Sequence, residues 1–143
     1  MADDATPESA QACVTIRPSA RYAGKQGLEY DTGIAAETVG SQALCMMLLT
    51  IPPGGRAKAH QHDGHETAIY LLSGEVVTYW GARLENRTEN TAGDLIYIPA
   101  GVPHLPINIG TVPASAVIAR TDPNEQESVT LRPDLEDLVP VPG

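Results

Sequence analysis

The histidines of this chain are spaced as metal ligands would be. His60, His62 and His65 lie within six residues of one another, and His104 follows at a distance. Residues two apart on a β-strand share a face, so His60 and His62 can direct their imidazoles at one point. Neutral imidazole is a common ligand of transition metals, and the nearby Glu66 offers a carboxylate oxygen. We interpret His60, His62, Glu66 and His104 as candidate metal ligands.

Two basic residues precede this cluster, and each lies an even number of positions before His60 and His62. If the strand is regular, Arg56 and Lys58 point toward the same interior and can bind a carboxylate or phosphate group of a substrate. The alternative is that both side chains lie solvated at the mouth of the site. Arg56 and Lys58 are therefore candidate substrate-binding residues.

Charge and cysteine content exclude several classes of function. Nine Lys and Arg residues stand against eighteen Asp and Glu residues, for a formal net charge of −9. Phosphate backbones and anionic lipids repel such a chain, so we expect no nucleic-acid or membrane partner. The first ten residues are acidic and carry no apolar run, which favours a cytoplasmic protein. Cys13 and Cys45 are too few and too far apart for a disulfide framework or a zinc ribbon.

The elements that would position the histidines are short strands. Gly and Pro supply 25 residues, scattered along the chain, which excludes a helical bundle or a coiled coil. Short apolar runs that end at turn residues predict an all-β sandwich or barrel. These runs are 44–51, 67–72, 76–80, 95–98 and 114–119. We expect a flexible N-terminus over 1–12, a β-barrel over 13–121 and an extended acidic C-terminal tail over 122–143.

One run conflicts with its own propensity. Residues 43–49 are largely good helix formers, but the run is short and stops at a double proline. We predict a buried strand there. By alternation, either Cys45 with Met47, or Met46 alone, faces the interior.

Two segments of the chain resemble the two sequence motifs of the cupin family. The second motif, G-x5-P-x-G-x2-H-x3-N, is matched at every fixed position, and the first is matched nearly so. The residues that carry the resemblance are Gly54, His60, His62, Glu66 and Gly74 in the first motif, and Gly93, Pro99, Gly101, His104 and Asn108 in the second. The resemblance implies a single-domain cupin, that is, a double-stranded β-helix or jelly-roll barrel. Within the family, the chain is similar to the mannose-6-phosphate-isomerase-like group.

The first motif departs from the family pattern at its carboxylate. Cupins usually leave six residues between the Glu and the closing Gly, whereas seven separate Glu66 from Gly74. Counting back from Gly74 places Thr67 at the ligand position, and counting forward from His62 places Glu66 there. A β-bulge would absorb the extra residue and keep Glu66 inward. Without one, the site has three histidines only, or His65 takes the fourth place.

The resemblance implies one divalent transition metal with coordination positions left open for a substrate. Our leading hypothesis is a non-haem Fe(II) oxygenase for a small anionic or enolic substrate, with Glu66 acting as both ligand and base. The first alternative is a Zn, Mn or Ni isomerase or lyase, in which Tyr70, Lys58 or His65 supplies the acid or base. The second alternative is a non-catalytic cupin that binds a small ligand.

Small cupins resemble one another in forming homodimers. An open strand edge favours such pairing, because a second copy covers its unpaired backbone groups. We expect the edge to lie at residues 14–16 or 28–30.

Overall fold

The computed structural model describes residues 12–18, 21–124, 126 and 128–140. Within them the chain forms eleven strands, a short α-helix α1 (Ala36–Val39) and a 3₁₀-helix (Pro133–Leu138). The strands are β1 (Arg21–Ala23), β2 (Glu29–Ile34), β3 (Cys45–Ile51), β4 (His60–His62), β5 (Thr67–Ser73), β6 (Glu75–Trp80), β7 (Asn86–Thr91), β8 (Leu95–Ile98), β9 (His104–Asn108), β10 (Ala114–Arg120) and β11 (Val129–Leu131). The all-β prediction is confirmed. The predicted flexible segment 1–12 lies, except for its last residue, outside the described residues.

The strands form two antiparallel sheets that enclose the interior of a jelly roll. The first sheet has the order β1-β2-β3-β10-β5-β8, and the second has the order β11-β4-β9-β6-β7. Buried and more exposed residues alternate along β3 and β10, as expected for strands with one face on a core. The strand that holds the first two histidines lies between β11 and β9, inside the second sheet.

Strand β3 confirms the prediction made against its helix propensity. Cys45 and Met47 are buried in the core, whereas Met46 is 43% exposed on the outer face. Tertiary context therefore overrides the local preference of these residues, because a strand here buries one face between the two sheets.

The turn between β5 and β6 requires a glycine. Gly74 adopts a φ of 89°, and a Cβ atom at this position would lie 2.7 Å from the Cα of Ala114. Any other residue would face both an unfavourable backbone conformation and a backbone clash. Gly74 thus ends β5 at a fixed point, which matters for the count back to the metal site.

The C-terminal segment packs on the barrel, although the sequence predicted an extended tail from residue 122. Strand β11 pairs with β4 along its whole length, and the Arg132 amide donates to the Ala59 carbonyl at 2.8 Å. Leu135 of the 3₁₀-helix is buried in a second apolar cluster with Leu105 and Ile107 of β9. Glu136 accepts hydrogen bonds from Arg56 and from the Ala59 amide. These contacts hold the strand that carries His60 and His62.

No helix within the described residues is long and apolar enough to cross a membrane.

Candidate metal centre

Three histidines converge inside the barrel from two neighbouring strands. His60 and His62 lie on β4, and His104 begins β9, where it pairs directly with His60. Their ring centroids are 4.2 to 5.6 Å apart, and one ligand nitrogen from each lies within 4.8 Å of the others. All three side chains are buried. Among the described residues, these three form the group that can hold a metal ion.

Backbone carbonyls set the orientation of two of the rings. His60 Nδ1 lies 2.7 Å from the Lys58 carbonyl oxygen, and His104 Nδ1 lies 3.0 Å from that of Val102. Since a carbonyl only accepts, each Nδ1 carries the proton and donates it, which leaves each Nε2 with a free lone pair. A hydrogen bond of this kind on the second ring nitrogen is the usual support of a metal-bound histidine.

The third ring has two unsatisfied nitrogens. Both Nδ1 and Nε2 of His62 are buried and have no hydrogen-bond partner. A buried polar atom without a partner is costly, and a metal ion would satisfy one of the two nitrogens here. The donor set therefore fits a divalent transition metal, with His60, His62 and His104 as the residues that would hold it.

Burial keeps the cluster neutral. Desolvation lowers the pKa of His62 to about 2 and that of His104 to about 4, and the pKa of His60 also falls well below its usual value. The positive charge of Arg120 adds to the lowering of the pKa of all three rings. Neutral imidazole is the form that binds a metal, so the site needs no deprotonation step near neutral pH.

The histidines line a small inner cavity of about 40 Å³. Its walls come from both sheets and combine apolar side chains with the polar ones of Gln26, Thr67, Thr78 and Arg120. A larger outer cavity of about 400 Å³ lies between strands β7 and β8, at the edges of the two sheets. The two cavities share Thr78 and Ile98 as walls. Thr78 and Ile98 thus lie between the two cavities.

The structure does not bring the predicted carboxylate to the cluster. Glu66 is exposed, and its Oε1 accepts a hydrogen bond from the Tyr97 hydroxyl at 2.9 Å. Strand β5 alternates regularly from Thr67 to Leu71, so Thr67 points inward and its neighbour Glu66 points outward. The pairing of β5 with β10 does skip Leu72, but this irregularity is at the other end of the strand. The count back from Gly74, which selects Thr67, matches the geometry.

The other sequence candidates also lie outside the cavity. Arg56 is half-buried and forms an ion pair with Glu136 at 3.2 Å, while the Lys58 side chain is exposed. Their predicted inward direction required a regular strand, but β4 begins only at His60. Tyr70 is 42% exposed on the outer face of the first sheet. His65 does not join the cluster either; its Nε2 lies 4.0 Å from a carboxylate oxygen of Asp122.

The lining of the inner cavity includes polar residues that the sequence analysis did not select as ligands or catalytic groups, among them Arg120, Thr67 and Gln26. Arg120 ends β10, Thr67 begins β5, and Gln26 precedes β2; each is at most 4% exposed. Arg120 continues the alternation of β10 inward, which is a signal the sequence carried. Gln26 lies in a turn outside any strand, and no sequence pattern marks it.

Comparisons with known proteins agree with this architecture. The family model described as the cupin domain matches residues 47–119. An uncharacterized protein of Methanocaldococcus jannaschii is 32% identical over 82 residues, which cover 57% of this chain and 62% of that protein. The match thus spans less than two thirds of that relative.

Two solved structures are also similar to this chain. The oxalate decarboxylase of Lactobacillus farciminis in its formate complex is 20% identical, with a TM-score of 0.67 over 85% of this chain and 36% of that one. The oxalate decarboxylase of Bacillus subtilis, studied for its Mn(II) centres, is 21% identical, with a TM-score of 0.63 over 75% of this chain and 28% of that one. At these identities the similarity shows the fold alone.

Proposed function

The chain belongs to the cupin family, and on that premise we propose that it is an enzyme that uses one divalent transition metal to act on a small anionic substrate. The observation that carries the proposal is the buried cluster of three neutral histidines that line a small cavity. His60, His62 and His104 would hold the metal. The proposal does not include Glu66 as a ligand, because its carboxylate is directed outward.

The charge of the site favours an anionic substrate. Three neutral imidazoles leave both positive charges of a divalent metal uncompensated, whereas a carboxylate as the fourth ligand would cancel one of them. The buried guanidinium of Arg120 adds a further positive charge to the same cavity. A carboxylate or enolate would restore the balance in this poorly solvated space. The leading proposal is a non-haem Fe(II) oxygenase that acts on such a substrate.

The residues of the chain itself position and isolate the reaction. The carbonyls of Lys58 and Val102 fix two imidazole rings, and the apolar side chains of Leu49, Ile69 and Ile118 limit the access of water. Iron bound here would supply open coordination positions and the redox chemistry by which dioxygen is used on a substrate.

A Zn-, Mn- or Ni-dependent isomerase or lyase is the second candidate, and one residue of the cavity lining favours it. Such a reaction needs an acid or base beside the substrate. Tyr70 and Lys58 are directed away from the cavity, but the buried Tyr30 lines it. A sugar phosphate, the substrate suggested by the mannose-6-phosphate-isomerase-like resemblance, is large for a cavity of about 40 Å³. The isomerase candidate therefore applies to smaller substrates.

Oxygen uptake separates these functions. The protein is loaded in turn with Fe(II), Mn(II) or Zn(II) and given small carboxylates, enolisable ketones and mannose 6-phosphate. We expect oxygen consumption with Fe(II) and a small anion, its loss in His104→Ala, and its retention in Glu66→Gln. Turnover without oxygen uptake would refute the oxygenase and support the isomerase or lyase. Ligand binding without any turnover would show a binding module.

We also propose that two copies of the chain pair through the outer face of the first sheet. Strand β2 lies between β1 and β3, so the predicted edge at residues 28–30 is not open, and residues 14–16 form no strand. Two rows of apolar side chains instead cross β3, β10, β5 and β8 in direct register. The first row is Leu48, Val117, Tyr70 and Leu95; the second is Met46, Ala119, Ala68 and Tyr97. An exposed apolar patch of this kind is typical of a protein interface.

Light scattering tests this pairing. We expect a mass about twice the 15.1 kDa of the chain, because a twofold axis would bury the same patch on both copies. Leu95→Glu, which places a charge at the 82% exposed position of the first row, should reduce the mass to that of one chain. Ile109→Glu, at an exposed apolar residue outside the patch, should leave the dimer intact. A parent protein that scatters as a single chain at micromolar concentration would refute the pairing.

A further inference from the structure

The lining of the inner cavity includes hydrogen-bond donors in addition to the three histidines. Gln26, Thr67 and Arg120 line the cavity together with His60, His62 and His104. Gln26 and Arg120 are only 1% and 4% exposed. Both therefore place polar groups, one of them charged, in the same buried space as the three histidines.

The amide of Gln26 has a defined orientation. The backbone amide of Lys25 donates to Gln126 Oε1 at 2.6 Å, which fixes the side-chain amide of Gln126. Gln126 Nε2 in turn donates to Gln26 Oε1 at 3.3 Å. Gln26 Nε2 is therefore the end left over; it is buried and has no hydrogen-bond acceptor. A buried N–H group of this kind calls for an acceptor that the chain itself does not supply.

Arg120 holds its charge beside the same space. Its Nε donates to Thr67 Oγ1 at 2.9 Å, which ties the guanidinium to the start of β5. The guanidinium lines the cavity together with His60, His62 and His104, and its charge lowers the pKa of all three rings. A guanidinium is a planar fork that matches a carboxylate in shape and charge.

Thr67 explains why a cation can lie there. It stands at the position where the sequence count from Gly74 expected the carboxylate ligand, and it offers a neutral hydroxyl instead. The carboxylate of Glu66 is exposed and accepts a hydrogen bond from Tyr97. Next to the histidines there is thus a neutral hydroxyl that accepts a hydrogen bond from a guanidinium, where the usual cupin motif has a carboxylate.

We propose that Gln26 and Arg120 form a receptor for the carboxylate group of the substrate, adjacent to the metal centre. Both groups donate hydrogen bonds, and a carboxylate only accepts them. The cavity of about 40 Å³ has room for roughly three water-sized groups, which restricts the substrate to a carboxylate with one or two carbons. The assignment of this ligand as a substrate rests on the proposed function, whereas the receptor itself consists only of side chains of this chain.

Calorimetric titration tests the receptor. Formate and acetate are added to the protein, and formamide, acetamide and inorganic phosphate serve as matched ligands without the carboxylate. Each titration is run on chelator-treated protein and on protein loaded with Zn(II), which does no redox chemistry. We expect the two carboxylates to bind, and the neutral amides and phosphate to bind at least about tenfold more weakly. Equal binding of acetate and acetamide to both forms would overturn the proposal.

Variants of the chain locate the binding. Gln26→Leu should weaken acetate binding about tenfold and Arg120→Met about a hundredfold, while both keep the Zn(II) content of the parent. Arg120→Lys keeps the charge but not the fork and should fall between the parent and Arg120→Met. Arg87→Met removes an exposed guanidinium of β7 that lines neither cavity and should bind acetate like the parent. Parental acetate affinity in both Gln26→Leu and the Arg120 variants would also overturn the proposal.

The design separates this inference from the proposed function. A parent protein that binds no metal but still prefers acetate to acetamide would refute the metalloenzyme and support the receptor. A parent protein that binds metal but binds acetate and acetamide equally would support the metalloenzyme and refute the receptor. If the Arg120 variants do not fold, Gln26→Leu and the comparison of acetate with acetamide decide the question.

Discussion

Replacing His62 by alanine is expected to abolish metal binding, whereas replacing Glu66 by glutamine is expected to leave the metal content unchanged. Both ring nitrogens of His62 are buried at the cluster, while the Glu66 carboxylate accepts a hydrogen bond from Tyr97 instead. Loss of a group that only orients a ligand lowers metal affinity by about 10- to 100-fold, so loss of a ligand should cost at least about 100-fold. Mass spectrometric metal analysis of untagged, purified protein measures the effect.

The Glu66 variant is the informative half of this pair. A Glu66→Gln protein without metal would show that the carboxylate turns inward when the metal binds, in the manner of the usual cupin motif. Circular dichroism of both variants provides the control, since a misfolded protein would lose its metal for another reason. A His62→Ala protein that keeps a stoichiometric metal would refute the three-histidine site.

The metal-free protein is expected to lose stability as the pH falls below about 6.5. His60, His62 and His104 take up protons near the ordinary pKa of 6.5 when the chain is unfolded, but only at much lower pH when it is folded. The unfolded state therefore binds more protons in this range, and the free energy of unfolding falls with the pH. The stabilisation is fully present above pH 6.5, and for His104 it is lost progressively down to about pH 4.

Each histidine contributes a slope of about 1.4 kcal/mol per pH unit within its window. Urea unfolding in the presence of a chelator, followed by the fluorescence of the single tryptophan, Trp80, measures the sum. The range between about pH 6.5 and 5 is the best choice, because carboxylates titrate mainly below it. His62→Leu should reduce the slope of the free energy of unfolding against pH by about 1.4 kcal/mol per pH unit, because leucine cannot be protonated. A free energy of unfolding that does not change across this range would contradict the buried, neutral state of the cluster.

The fold and the histidines were predictable because the signals that mark them are local. Short apolar runs end at turn residues, and their alternation already defines strands such as β3 and β10. The pair His60 and His62 shares a face through the period of a strand, whatever the rest of the chain does. The glycines and prolines around His104 fix its backbone in the same local way, which is why the second motif could be recognised.

Two expectations drawn from the sequence differ from the structure: the inward direction of Arg56 and Lys58, and the extended C-terminal tail. Arg56 and Lys58 lie an even number of positions before His60 and His62, which places side chains on one face only within a strand. Strand β4 begins after both of them. The C-terminal segment looked extended because it is acidic and rich in proline. Its apolar residue Leu135 nevertheless packs against β9, which no local pattern indicates.

The sequence by itself determined the β-barrel class and selected the three histidines that the fold brings together, because both follow from the order of neighbouring residues. Only the tertiary structure decided between Glu66 and Thr67, for which the two sequence counts disagreed. That choice depends on how β5 pairs with β8 and β10, and these strands come from distant parts of the chain. For the same reason, only the folded chain brings Arg120 to Thr67, 53 residues away in sequence, and places the two of them beside the histidines.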